Sequence, residues 1–194
     1  MWIINRHSWT RQRAERRRPW LMSRFSRDEH GSTAIEFGIL ALPFLMLLFA
    51  ILETGISFAA QQLMANATDD VARQIRTGQL TSANLTQSSL RDKICVQLEM
   101  MVTKGCPGLA VDLRLRSTFA ELAQIKAPLK GSGREQEIDL AAVGFEVGKG
   151  ADKSTLRVLY GWPIISNLMQ KSLSTMKGSK MLLYASATWQ NEPF

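Results

Sequence analysis

Two cysteines, Cys95 and Cys106, have the chemistry that is easiest to predict, because they can form a disulfide with each other. They are the only cysteines of the chain, and both follow a long hydrophobic stretch. A close, isolated pair in an exported domain is typical of a disulfide. Closing a loop of about a dozen residues would contribute about 3 kcal/mol in the chain-entropy model. The alternative is a pair of free, buried thiols.

Histidine is missing from the part of the chain that follows the hydrophobic stretch, since His7 and His30 both precede it. That part therefore lacks the imidazole needed for Ser-His or Cys-His nucleophilic sites, and we expect no zinc site. Glu135, Glu137 and Asp139 alternate in sequence, which a solvated strand edge explains more simply than a catalytic carboxylate pair. We expect no enzyme activity and no cofactor, while a membrane-anchored enzyme with paired carboxylates stays a rival hypothesis.

Positive charge is concentrated at the N-terminus. Residues 1–31 contain eight arginines against three acidic residues, which gives +5 of the total net charge of +7. Such an arm could bind nucleic acid, form a solvated tail or flank a membrane segment on its cytoplasmic side. The hydrophobic stretch that follows favours the membrane flank, so we expect a membrane and no nucleic acid as partner.

The hydrophobic stretch is long enough to span a membrane. Residues 37–52 carry no charge and would rise about 24 Å as a helix, against a hydrocarbon core of about 30 Å. The uncharged run resumes after Glu53 and continues to Thr68. Helical spacing of apolar residues persists up to Gly78, a typical helix stop. The sequence therefore predicts one helix over residues 32–77, with its outer part covered by the domain that follows.

The remaining sequence predicts a second helix and several strands. Ser89 and Asp92 resemble a capping box, and the apolar residues that follow them share one helix face. Alternating apolar residues then indicate strands. The predicted elements are strands over 109–116, 156–160 and 182–189, weaker strands near 138–140 and 145–147, a polar loop over 130–136 and a short helix within 163–175.

The predicted fold class is α+β: a long N-terminal transmembrane helix, then a small periplasmic domain with a second helix and an antiparallel sheet. Three segments follow from this pattern. Residues 1–31 form a basic cytoplasmic leader, residues 32–78 form the transmembrane and extended helix, and residues 79–194 form the periplasmic domain.

The segment GSTAIEF, from Gly31 to Phe37, joins the basic arm to the hydrophobic stretch. It consists of a glycine, four further residues, a glutamate and an aromatic residue, and a long apolar run comes directly after it. This arrangement resembles the processing site of Flp-type prepilins and of TadE-like pseudopilins. The resemblance implies that a prepilin peptidase cuts between Gly31 and Ser32 and leaves Glu36 as the fifth residue of the mature chain.

Physical reasons for these residue types support the resemblance. Gly31 allows an extended backbone to enter a protease cleft without a side-chain clash. Glu36 is an acid at the start of a membrane helix, where the helix dipole favours negative charge and where it could pair with a new N-terminal amine. The alternative is that Glu36 merely caps the helix in the head-group layer.

Two further segments are similar to the TadE-like family: ARQIRTGQ over residues 72–79 and NEPF at residues 191–194. Arg73 and Arg76 could contact acidic groups of a neighbouring subunit, or they could form a solvated helix face. Glu53 could likewise pair within an assembly, or mark the outer membrane surface. All three are candidate assembly contacts.

The resemblance implies a minor pilin, or pseudopilin, that helps to assemble a tight-adherence type IVb (Flp) pilus and so supports adhesion and biofilm formation. Its implied partners are the prepilin peptidase, other Tad pseudopilins, the major Flp pilin and the inner-membrane assembly platform, in a hetero-oligomer. The protein would cross the bacterial inner membrane once, with its N-terminus in the cytoplasm and its C-terminal domain in the periplasm. The rival function is an uncleaved, membrane-anchored periplasmic binding module outside any pilus.

Overall fold

The computed structural model describes residues 32–193 as an α+β chain, which confirms the predicted fold class. The predicted basic leader, Gly31 included, and Phe194 lie outside the described residues. The helices are α1 (Ser32–Arg76), α2 (Gln87–Leu98), α3 (Phe119–Gln124) and α4 (Asn167–Leu173). The strands are β1 (Ala110–Arg116), β2 (Leu129–Lys130), β3 (Glu137–Ile138), β4 (Lys153–Pro163) and β5 (Lys180–Gln190).

By its internal contacts the chain divides into two units between Met46 and Leu47. The described part of the first unit is the N-terminal part of α1, whose large apolar side chains are exposed. The second unit begins with the rest of α1 and includes all the other elements. The functional division after residue 78 stays a prediction.

Helix α1 is 45 residues long and matches the predicted helix to within one residue at its end. In the second unit it becomes amphipathic, because Ala60, Met64, Ala67, Val71 and Ile75 recur every three or four positions and are all buried. These residues form one side of the main core.

A glycine ends α1 as the sequence predicted. Gly78 has a φ of 74°, a left-handed conformation that glycine adopts without a Cβ clash. The chain therefore turns back, and the amides of Gln79 and Leu80 both donate to the carbonyl of Gln74 at 3.0 and 3.1 Å. This closes the last turn of the helix and starts the connection to α2.

Helix α2 begins earlier than predicted, and the predicted capping box of Ser89 and Asp92 is wrong. Thr86 is the N-cap, and its hydroxyl accepts from the amide of Ser89 at 3.2 Å. The hydroxyl of Ser89 in turn accepts from the amide of Thr86 at 2.9 Å. The two hydroxyls thus accept from the backbone amides of each other's residues. This is the arrangement of a capping box, with a serine in the place of the usual acid or amide.

Strands β1, β4 and β5 form one antiparallel sheet in the order β1-β4-β5. Leu113 lies opposite Leu156, and Val158 lies opposite Ala185, so the apolar side chains of the strands meet on one face. That face packs on the buried sides of α1 and α2. The three main strands that the sequence predicted are confirmed, although β4 is longer than predicted.

The outer edge of β5 is covered by a side chain of α1. Gln61 donates its side-chain amide to the carbonyl of Tyr184 at 2.7 Å and accepts from the amide of Tyr184 at 3.2 Å. A glutamine side chain can present one N–H donor beside its C=O acceptor, as a peptide group does, so it can replace a neighbouring strand at this position.

The segment between β1 and β4, residues 117–152, differs most from the prediction. It contains the unpredicted helix α3 and the hairpin β2–β3, whose second strand includes Ile138, as the weak strand predicted near 138–140 implied. Leu140, predicted in the same strand, instead starts a single 3₁₀ turn. Phe145 makes one isolated bridge to Leu113 instead of starting a strand. These elements are too short for their apolar periodicity to identify them.

Candidate functional site

The described part of the predicted processing site is helical from its first residue. Helix α1 starts at Ser32, the residue that cleavage after Gly31 would make the new N-terminus. Glu36 follows one turn later on an exposed part of the helix, and Phe37 is 74 % exposed. Positions four apart are neighbours on a helix surface. A cut before Ser32 would therefore place the new amine one helical turn from Glu36.

Glu53 lies further along α1 and is bound by its own chain. Its carboxylate accepts from the amide of Ile165, from the amide of Ser166 at 3.2 and 3.3 Å, and from the hydroxyl of Ser166. Ser166 is also the N-cap of α4, where its hydroxyl accepts from the amide of Met169 at 3.3 Å. Glu53 thus fixes the loop before α4 to α1.

Arg73 and Arg76 both lie exposed on the last turn of α1. The carbonyl of Arg76 accepts from the amide of Glu192 at 3.0 Å, and its guanidinium lies 3.6 Å from the Glu192 carboxylate. The structure therefore brings together two of the segments that resemble the TadE-like family, the end of α1 and the C-terminal NEPF. Arg73 lines the adjacent groove with Asp69 and Trp189.

Asn191 explains part of the C-terminal motif in physical terms. It is buried, and its side-chain oxygen accepts from the indole of Trp189 at 2.7 Å, while its side-chain nitrogen donates to the carbonyl of Lys149 at 2.8 Å. The backbone amide of Asn191 donates to the carbonyl of Asp152 at 2.8 Å. A buried amide with all these partners fixes the chain end against the loop before β4.

The cysteines are bonded to each other, with Cα atoms 5.8 Å apart. Both are buried, and the bond joins α2 to the loop that leads into β1. Arg91 holds the same loop by donating to the carbonyls of Gly105 and Cys106 at 2.8 and 2.7 Å. The disulfide is therefore part of a fixed, inaccessible connection.

A buried ion pair is the feature that the sequence did not reveal. Asp112 on β1 is 0 % exposed, and its carboxylate accepts from Nε of Arg157 at 2.9 Å, from Nε of Arg114 at 2.9 Å and from the amide of Gly144 at 2.7 Å. Arg157 is 5 % exposed and also donates to the carbonyl of Ile125 at 2.8 Å. The pattern of β1 placed Asp112 on the polar face of its strand, but nothing local indicated that residues 117–152 would cover that face.

The absence of a side chain at Gly144 leaves room for the same network. A Cβ built at this position would lie 2.1–2.5 Å from the guanidinium atoms of Arg114, so the end of that arginine would have to move away from Asp112. The ion pair and its neighbours thus connect β1, β4 and the segment between them. We assign them a structural role.

Over residues 32–193, no group of three or more His, Cys, Asp or Glu side chains is placed to hold a metal ion. Within the same range, α1 is the one helix long and apolar enough to cross a membrane. The described part of the chain therefore combines a single candidate membrane helix with a disulfide-bonded α+β domain that packs on the outer part of that helix.

Comparison with known families agrees with this description. The family model described as TadE-like protein matches residues 31–73, from Gly31 through most of α1. The resemblance that the GSTAIEF segment predicted is thereby confirmed, and the match supports a role as a minor pilin associated with the Tad pilus. It also suggests other Tad pilus components as partners. No curated protein and no solved structure matches the chain.

Proposed function

We propose that this protein is a minor pilin that a prepilin peptidase cuts between Gly31 and Ser32, and that it then joins a tight-adherence pilus assembly through α1. The join between the basic arm and the apolar run carries this proposal, because Gly31 stands where the prepilin sites that GSTAIEF resembles are cut, and the residues from Ser32 onward are helical. The family match begins one residue earlier, at Gly31.

The exposed surface of α1 supports assembly by lateral packing of helices. Phe37, Leu40 and Phe44 are all exposed in the single chain. In a bilayer, lipid covers such side chains, and in a fibre the helices of neighbouring subunits can replace the lipid. Glu36 would then neutralise the new amine, its own or a neighbour's, because it lies near the start of the helix and carries the opposite charge.

The proposed topology puts the basic arm in the cytoplasm and the domain in the periplasm. Eight arginines before the span favour retention of the arm on the cytoplasmic side. The disulfide between Cys95 and Cys106 supports an oxidising compartment for the domain. Adhesion and biofilm formation would follow from the pilus, and the protein itself would act as a structural component and not as an enzyme.

N-terminal peptide mass spectrometry of the purified protein, from cells with and without a prepilin peptidase, tests the proposal. We expect a chain that begins at Ser32 when the peptidase is present and a chain that keeps residues 1–31 when it is absent. Gly31→Leu should block cleavage. Gly38→Leu is the matched control, because a Cβ added at Gly38 meets nothing within 4 Å and the position lies outside the expected cut, so this variant should be cut normally.

Intact residues 1–31 on the wild-type protein of piliated cells would overturn the proposal. That result would favour the uncleaved, membrane-anchored binding module instead. Equal cleavage of the two glycine variants would show that Gly31 is not the recognised position.

A further inference from the structure

The loop between β4 and α4 exposes an isoleucine to an unusual degree. Ile165 is 87 % exposed, more than any other large hydrophobic side chain of the described chain. Its neighbours Ile164 and Trp162 are buried in the domain, whereas the side chain of Ile165 points away from it. Exposing this side chain to water costs free energy unless another apolar surface covers it.

Glu53 fixes where this isoleucine lies. Its carboxylate accepts from the amides of Ile165 and Ser166, so the loop is held beside α1 at the level of Glu53. Within about one turn of Glu53, on the same side of the helix, Phe49 and Ile56 are 60 % and 51 % exposed. At 1.5 Å per residue these two positions are about 10.5 Å apart along the axis. Ile165 therefore lies at the level of an apolar surface that α1 presents beside Glu53.

The length of the hydrophobic segment indicates what covers this surface. Residues 37–52 rise about 24 Å, which is about 6 Å less than a hydrocarbon core of about 30 Å. Four more residues of helix make up the difference, so the hydrocarbon boundary falls near Ile56. Glu53 then lies just inside that boundary, where the donors from Ile165 and Ser166 reduce the cost of burying a carboxylate.

We propose that the loop of residues 164–166 is a second membrane contact, in which Ile165 inserts into the edge of the acyl-chain layer beside α1. The partner is the phospholipid bilayer itself. The exposed Lys171, on α4 just after the loop, is then available to anionic head groups. The proposal requires α1 to span the membrane, but it does not require cleavage or a pilus.

A fluorescent probe on the loop tests this contact. The full chain with Ile165→Cys is labelled with an environment-sensitive fluorophore and reconstituted into vesicles of phosphatidylcholine and phosphatidylglycerol, with or without nitroxide-labelled lipid. Labelling is specific because the two native cysteines are bonded to each other. Met100→Cys is the matched control, since Met100 is 81 % exposed in the turn after α2.

We expect nitroxides near the glycerol backbone to quench the Ile165 probe several-fold more strongly than the Met100 probe. Adding Glu53→Gln to the Ile165 variant should weaken that quenching, because the loop loses its charged acceptor on α1. Equal quenching of the two probes would overturn the proposal. A blue-shifted Ile165 probe that lipid nitroxides do not quench would also overturn it, since a protein neighbour would then cover the residue.

Discussion

Replacing Asp112 with alanine should destabilise the domain strongly. The substitution removes the carboxylate that pairs with Arg157 and leaves that guanidinium, 5 % exposed, with only the carbonyl of Ile125 as acceptor. Breaking a buried pair by removing one partner typically costs about 3–5 kcal/mol. The amide of Gly144 loses its acceptor as well. A domain of ordinary stability, about 5–15 kcal/mol, would lose a large part of its margin.

Unfolding of the full chain in detergent micelles, followed by tryptophan fluorescence, measures this loss. For a chain of this size each kcal/mol lowers the melting temperature by about 2–4 °C, so we expect a decrease of roughly 6–20 °C. Asp92→Ala is the matched control, because the Asp92 side chain is 70 % exposed and its ion pair with Arg91 is long, at 3.9 Å. It should change the free energy of unfolding by no more than about 0.5 kcal/mol.

A second variant separates the buried charge from the general loss of contacts. Asp112→Leu combined with Arg157→Met replaces both charged groups by apolar ones of similar size, and it should recover part of the stability that Asp112→Ala loses, because the uncompensated buried guanidinium is gone while the amide of Gly144 still lacks its acceptor. If the free energy of unfolding of Asp112→Ala lies within about 1 kcal/mol of the wild-type value, the structural role assigned to the ion pair is wrong.

Three further predictions concern other parts of the chain. Glu36→Ala should leave cleavage largely intact, as read by N-terminal mass spectrometry, but impair piliation, and normal piliation would remove Glu36 from the functional residues. Cys95→Ser should destabilise the domain by about 2–5 kcal/mol in denaturant titration, and an unchanged midpoint would contradict a stabilising disulfide. The pKa of Glu137 is lowered by a hydrogen bond from Lys177 and by the lysine's charge. The Glu137–Lys177 pair therefore stabilises the folded state above the usual glutamate pKa, and this stabilisation is lost as pH falls through the pKa of Glu137 in the folded state. Glu137→Gln should lower the melting temperature slightly at pH 7 and not in strong acid. Equal effects at both pH values would exclude this pair as the cause.

The elements that sequence reasoning identified are the long and strongly periodic ones. The uncharged run and the apolar face from Ala60 to Ile75 are local patterns, so α1 was predicted almost to the residue. Alternation likewise identified β1, β4 and β5. Helix α3 was missed because six residues are too few to show a helical period.

The site residues divide in the same way. The roles of Gly31 and Glu36 could be predicted because they depend on the neighbouring sequence, a basic arm before them and an apolar run after them. The partners of Glu53 could not be predicted, since Ile165 and Ser166 are more than a hundred residues away in sequence. Burial of Asp112 is equally non-local, because it depends on a segment that returns to cover β1.

Site-specific photocrosslinking from α1 in piliated cells tests the central claim most directly. A photoreactive residue at Leu40, which is exposed on the helix, should crosslink to another pilin subunit in the wild-type background. The same probe should give no such crosslink when Gly31→Leu blocks cleavage. A pilin crosslink of equal strength in both backgrounds, or none in either, would contradict assembly through a helix released by cleavage.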